Sequence, residues 1–69
     1  MNEKNKKEII KQKELAIKHL NSALDALEKM SKTVRGIGFE YLAIALDNAV
    51  MVGEQQKTDF IKYMEEILK

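Results

Sequence analysis

The sequence predicts an all-α fold, a small bundle of two to three helices, and three observations carry that expectation. Proline is absent and glycine occurs only three times in 69 residues, so little interrupts helix propagation. Lys, Glu, Leu, Ala and Ile are abundant, and most of these are good helix formers. Apolar residues also recur at three- and four-residue spacing along most of the chain.

Such a chain makes one domain, residues 1–69, and a domain of this size buries only about 60% of the surface its unfolded chain exposes. Cysteine is absent, which excludes disulfides and thiolate metal sites and leaves tight packing or oligomerisation as the means of stabilisation. The opening MNEKNKKEII is charged, with no apolar segment after it. The least polar run, Tyr41 to Val52, is broken by Asp47 and Asn48 and is shorter than the ~20 residues of a membrane span. The expectation is a cytoplasmic protein with no membrane partner.

A first helix is expected over about 5–33. Asn5 and Glu8 stand three apart like a capping pair, and Ile9, Ala16, Leu20, Ala23, Leu27 and Met30 fall on one face that Ile10, Ile17 and Leu24 widen. Lys29, Lys32 and Arg35 gather where the carbonyl end carries partial negative charge, and Gly36 is placed to close the helix in the left-handed conformation. A turn over 34–38 follows.

The second helix is expected over about 39–52, with Gly38 at its start and Glu40 in its first turn. It is apolar on nearly every side. Phe39, Leu42, Leu46 and Ala49 form one stripe, Tyr41, Ala45 and Val52 another, and Ile44 with Met51 a third. A helix apolar all round must be buried nearly all round, and one partner helix covers only one side. The remainder is therefore assigned to another copy or a different protein.

A polar connection, 53–58, offers no apolar side chain to a core, and Thr58 can cap a third helix over about 59–68, in which Phe60, Met64, Ile67 and Leu68 recur at helical spacing. Two architectures follow. In the favoured one a helical hairpin is followed by a separate carboxyl-terminal helix, and the molecule self-associates. In the other, 53–59 stays helical and a long hairpin dimerises into a four-helix bundle, since glycine inside a helix costs only about 1 kcal/mol.

Charge is unevenly spread: residues 1–18 hold six Lys against three Glu, whereas 36–69 hold three Lys against six carboxylates. An antiparallel register sets the basic start beside the acidic end around Glu65 and Glu66.

Chemistry is poorly represented. His19 is the only histidine, so no transition-metal site is expected, and Ser22 and Asp25 lie on its row without free amides to hold an oxyanion. Arg35-Gly36-Ile37-Gly38 contains a GxG but lacks the third glycine, the phosphate-loop lysine and the preceding strand. No catalytic residue, metal or cofactor is assigned. The expected function is a protein-interaction or regulatory module, working as a homo-oligomer, most simply a dimer. Phe39, Leu42, Leu46 and Val50 are its interface core, and Asp47 and Asn48 set specificity. The alternative is a nucleic-acid-associated accessory protein whose amino-terminal Lys4, Lys6, Lys7 and Lys11 contact phosphates, although no later helix carries the side chains that read base edges.

Ala16, Leu20, Ala23, Leu24 and Leu27, followed by Gly38, Leu42, Ala43, Leu46, Ala49, Gly53 and Glu54, resemble the closing helices of the helical domain of MnmE-type tRNA-modification GTPases. The likeness spans roughly residues 16–54 and implies an isolated helical module of that kind. The GTP-binding loop, the folate-binding domain and the carboxyl-terminal cysteine of that family are missing, so no activity carries over.

Overall fold

A computed structural model describes residues 2–69 as two helices, α1 (Glu3–Gly36) and α2 (Glu40–Ile67), packed against each other as a hairpin. Among the described residues there is no strand.

Helix α1 opens one turn earlier than the capping pair suggests. Asn2 is the cap, its Oδ1 accepting from the Asn5 amide at 2.8 Å, while Glu8 accepts from Gln12 Nε2 at 3.1 Å and reaches no cap. The helix runs on to Gly36, past the expected stop near 33. Its end is closed by Gly38, not Gly36: Gly38 has φ 94, the Phe39 amide donates to the Val34 carbonyl at 2.9 Å, and the Gly38 amide donates to Arg35 at 3.2 Å. These are the two bonds of a Schellman closure, and the left-handed position is where a glycine avoids the clash of a Cβ with its own backbone. Gly38 accordingly ends α1 rather than starting α2. Phe39 caps α2 without a side-chain hydrogen bond, and Glu40 provides the acidic first turn.

The separate third helix is not formed, and α2 is unbroken through 53–59. Thr58, expected as a cap, donates its hydroxyl to the Glu54 carbonyl at 3.1 Å, a bond that a threonine makes within a helix. Gly53 is tolerated for a packing reason: a Cβ built on it would stand 2.6 Å from Leu24 Cδ2. Lys57 contributes its stem to the seam, its side chain being only 23% exposed while the ammonium reaches Asn21 Oδ1 at 2.8 Å and Glu54 at 3.5 Å. Polar composition misleads here because the two positions that face α1 within 53–59 are a glycine and a lysine.

The seam is a heptad pattern. Along α1 the inward residues are Ile10, Lys13, Ile17, Leu20, Leu24, Leu27, Ser31 and Val34, alternately three and four apart. Along α2 they are Ala43, Leu46, Val50, Gly53, Lys57, Phe60 and Met64, with the same rhythm. Only Leu24, Ser31, Val34 and Ala43 are fully buried, and most of these lie toward the turn. The molecule is long and thin, 54 × 16 × 9 Å between Cα atoms, with a radius of gyration of 16.0 Å against about 11 Å for a compact domain of this length. No helix is long and apolar enough to cross a membrane among the described residues.

Candidate interaction surface

Heptad geometry gives the hairpin two flanks, where the helices' neighbouring rows run beside the seam, and their chemistry differs sharply. On one flank α1 presents Lys7, Glu14, Asn21, Glu28 and Arg35, and α2 presents Glu40, Asp47 and Glu54. On the other α1 presents Ile9, Ala16, Ala23 and Met30, with Gln12, His19, Ala26 and Thr33 in the next row out, while α2 presents Leu42, Ala49, Gln56 and Tyr63. None of these is Lys, Arg, Asp or Glu, whereas the next row out on α2 is Ala45, Val52, Asp59 and Glu66.

The charged flank is held by cross-helix bonds near the turn. Arg35 Nη2 donates to Asp47 Oδ2 at 2.8 Å and its Nε lies 3.9 Å from Glu40. The buried Ser31 hydroxyl donates to Asp47 Oδ1 at 2.6 Å and lies 3.4 Å from the Ala43 carbonyl. The Ser31 and Arg35 hydrogen bonds hold the Asp47 carboxyl below its ordinary range, and the Asp47 hydrogen bond raises Arg35. Among the described residues the cross-helix ion pairs gather here, through Arg35, rather than between the amino-terminal lysines and Glu65 or Glu66.

The uncharged flank is unpartnered. Met30, Leu42 and Tyr63 are 49%, 43% and 62% exposed. Toward the open end of the hairpin it deepens into a groove of about 430 Å³ lined by Ile9, Gln12, Lys13, Ala16, Phe60, Met64 and Ile67. Small side chains at Ala16, Ala23 and Ala49 keep the flank shallow elsewhere, which allows a facing helix to come close.

The residues expected to form the interface do not act as one set. Leu46 and Val50 are half-buried in the seam within the chain, whereas Phe39 and Leu42 are exposed. Asp47 is engaged by Ser31 and Arg35, and Asn48 is exposed on the side of α2 away from α1, near the 91%-exposed Tyr41. Ile9, Ala16, Ala23 and Met30, expected in the core, lie on the uncharged flank, because α1 turns the row through Ile10, Ile17, Leu24 and Ser31 toward α2 instead. The missed signal was the contrast between rows: seven-residue spacing from Lys7 is polar throughout, and from Ile9 is apolar throughout.

Lys4, Lys7 and Lys11 are exposed and Lys6 is half-buried. His19, Ser22 and Asp25 are exposed, Asp25 pairing with Lys29 at 3.2 Å. Among the described residues no three His, Asp or Glu side chains cluster as a metal site.

These features define the chain as an antiparallel helical hairpin with one charged and one uncharged flank. No protein-family model matches it, and no curated protein or solved structure is similar to it at a significant level.

Proposed function

We propose that this chain is a protein-interaction module that self-associates and acts by binding another polypeptide through the uncharged flank of the hairpin. The observation that carries this reading is the flank itself: Ile9, Ala16, Ala23 and Met30 on α1 beside Leu42 and Ala49 on α2, with no charged residue in these rows and Lys13 as the cation that lines the groove. Contiguous apolar surface of that extent is the usual mark of an interaction site. Leu42 and Met30 supply its projecting side chains near the turn, and the groove between Ile9 and Phe60 supplies a receptive one at the open end.

The test is site-resolved photocrosslinking in cells that express the chain, with a benzophenone side chain at Leu42 or, as a control on the charged side of α1, at Lys32. Discrete adducts from Leu42 and none from Lys32 are expected. Equal, diffuse labelling from both positions refutes the reading.

A second reading has one observation in its favour. Lys4, Lys11 and Lys18 share a row of α1 at seven-residue spacing, all exposed. Such a row neutralises phosphates without reading bases, so it supports weak nucleic-acid contact that falls steeply with added salt. Replacing Lys4, Lys11 and Lys18 by Gln removes such binding in a gel-shift titration at low salt, and no binding by the unmodified chain refutes it.

A further inference from the structure

We propose that the occupant of the uncharged flank is a second copy of this chain, stacked face to face with its turn over the open end of the first, so that two hairpins make an antiparallel four-helix bundle. The inference rests on the reading of that flank as a docking surface and names its partner and geometry.

Area supports a second copy. The chain exposes 5491 Å², whereas a compact monomer of 7.9 kDa exposes about 4400 Å² by the usual scaling with mass. The excess, roughly 1100 Å², is comparable to the roughly 800 Å² that each partner contributes to a standard stable interface. The broad side of the hairpin, 54 by 16 Å between Cα atoms, is large enough to hold such a footprint.

Charge supports a copy over an unrelated surface. A twofold axis sets a surface against itself, so any charge near the axis is desolvated and the closest pairs repel. The flank bearing Glu14, Glu28, Asp47 and Glu54 fails that condition, and the flank bearing Ala16, Ala23 and Ala49 meets it in the rows beside the seam, with Asp59 and Glu66 set in the outer row of α2 at its rim.

The groove decides the orientation. It lies at the open end, between Ile9 and Ala16 on α1 and Phe60 and Met64 on α2. Stacking with both turns at one end leaves groove facing groove. The opposite stacking brings the turn half of one copy over the groove of the other. Asn21 stands level with Lys57, their side chains 2.8 Å apart, so an axis near Leu20 sets Met30 of one copy over Ile9 of the other and Ala49 over the carboxyl-terminal turns of α2.

Sedimentation equilibrium of the full chain across a concentration series gives the mass, and Ala23→Glu probes the face. Ala23 is exposed in the hairpin, so the change leaves the seam intact and weakens dimerisation by roughly a hundredfold or more, while Lys18→Glu on the charged side leaves it unchanged. Spin labels at Lys4→Cys, the chain having no other cysteine, read the orientation without disturbing the interface. Opposed stacking separates the labels by about 50 Å, close to the 54 Å length of the molecule. Stacking with turns together brings them within roughly 20 Å, given helix spacings of 8–10 Å. A monomer at every concentration overturns the second copy, and with adducts still formed from Leu42 the docking reading itself stands. A dimer indifferent to Ala23→Glu overturns the face, and the short label distance overturns the orientation.

Discussion

Gly53 packs against Leu24 across the seam, and Gly53→Ala tests that contact through a change of sign. In isolation the substitution stabilises a helix by about 1 kcal/mol, since alanine replaces glycine in the interior of α2. Against it stands geometry: the added Cβ lies 2.6 Å from Leu24 Cδ2 and 3.7 Å from its Cγ. The methyl must retreat by nearly 1 Å, and Leu24 is 6% exposed, so it has little room to do so. Accommodating the methyl, by forcing Leu24 off its rotamer or separating the helices locally, costs about 1–3 kcal/mol as overpacking. Gly53→Ala alone is therefore expected to range from neutral to about 2 kcal/mol destabilising. In a Leu24→Val background, which removes the opposing methyl, the same change is expected to stabilise by about 1 kcal/mol. Urea unfolding followed by far-UV circular dichroism, at one fixed chain concentration, measures the four proteins of the cycle. A coupling of about 1–3 kcal/mol is expected. If Gly53→Ala stabilises both backgrounds equally, the helices do not meet at this level and the proposed seam is wrong.

Three further outcomes follow from the same structure. Gln56→Pro should cost about 3 kcal/mol or unfold the chain in a thermal melt, because 56 lies inside α2; a melting temperature unchanged from the parent indicates a loop there. Lys57→Leu should raise the melting temperature, adding about 1 kcal/mol as an apolar side chain replaces an ammonium in the seam; a fall shows that the Asn21 bond matters more than the stem's burial. Stability should fall on acidification as Asp47 protonates. Its folded value lies below the unfolded carboxylate value of about 3.9, so its contribution is complete above that value and is lost as pH descends through the folded one. In Asp47→Asn this part of the acid transition disappears, and an identical pH profile for the two chains shows that Asp47 adds nothing.

The hairpin shows how a wide apolar stripe is divided. On α1 the apolar residues span more of the helix circumference than α2 can cover, so Ile10, Ile17, Leu24 and Leu27 enter the seam while Ile9, Ala23 and Met30 remain outside. The choice between neighbouring rows is settled on the other side of the seam. Asp47 and Glu40 on α2 meet Arg35 on α1's charged row, and the buried Ser31 hydroxyl donates to Asp47 beside them. With the charged rows together, the uncharged rows are necessarily together on the opposite flank.

Taken alone, the sequence determined that the chain is helical, that it turns near the glycines, and that its apolar surface exceeds what one small domain can hide. Local physics suffices for these: composition sets propensity, glycine permits the left-handed turn at Gly38, and periodicity declares a buried face. Only tertiary structure decided that α2 passes unbroken through Gly53 to Asp59, and that the row through Ile9, Ala16, Ala23 and Met30 stays outside the seam. Both depend on contacts between residues far apart in the chain. Gly53 reads as a break until Leu24 is found against it, and Lys57 reads as solvated until Asn21 receives its ammonium. Which row of α1 faces inward depends likewise on the partner helix, because neighbouring apolar rows have nearly equal claim until a second helix, with its own charges to satisfy, selects between them.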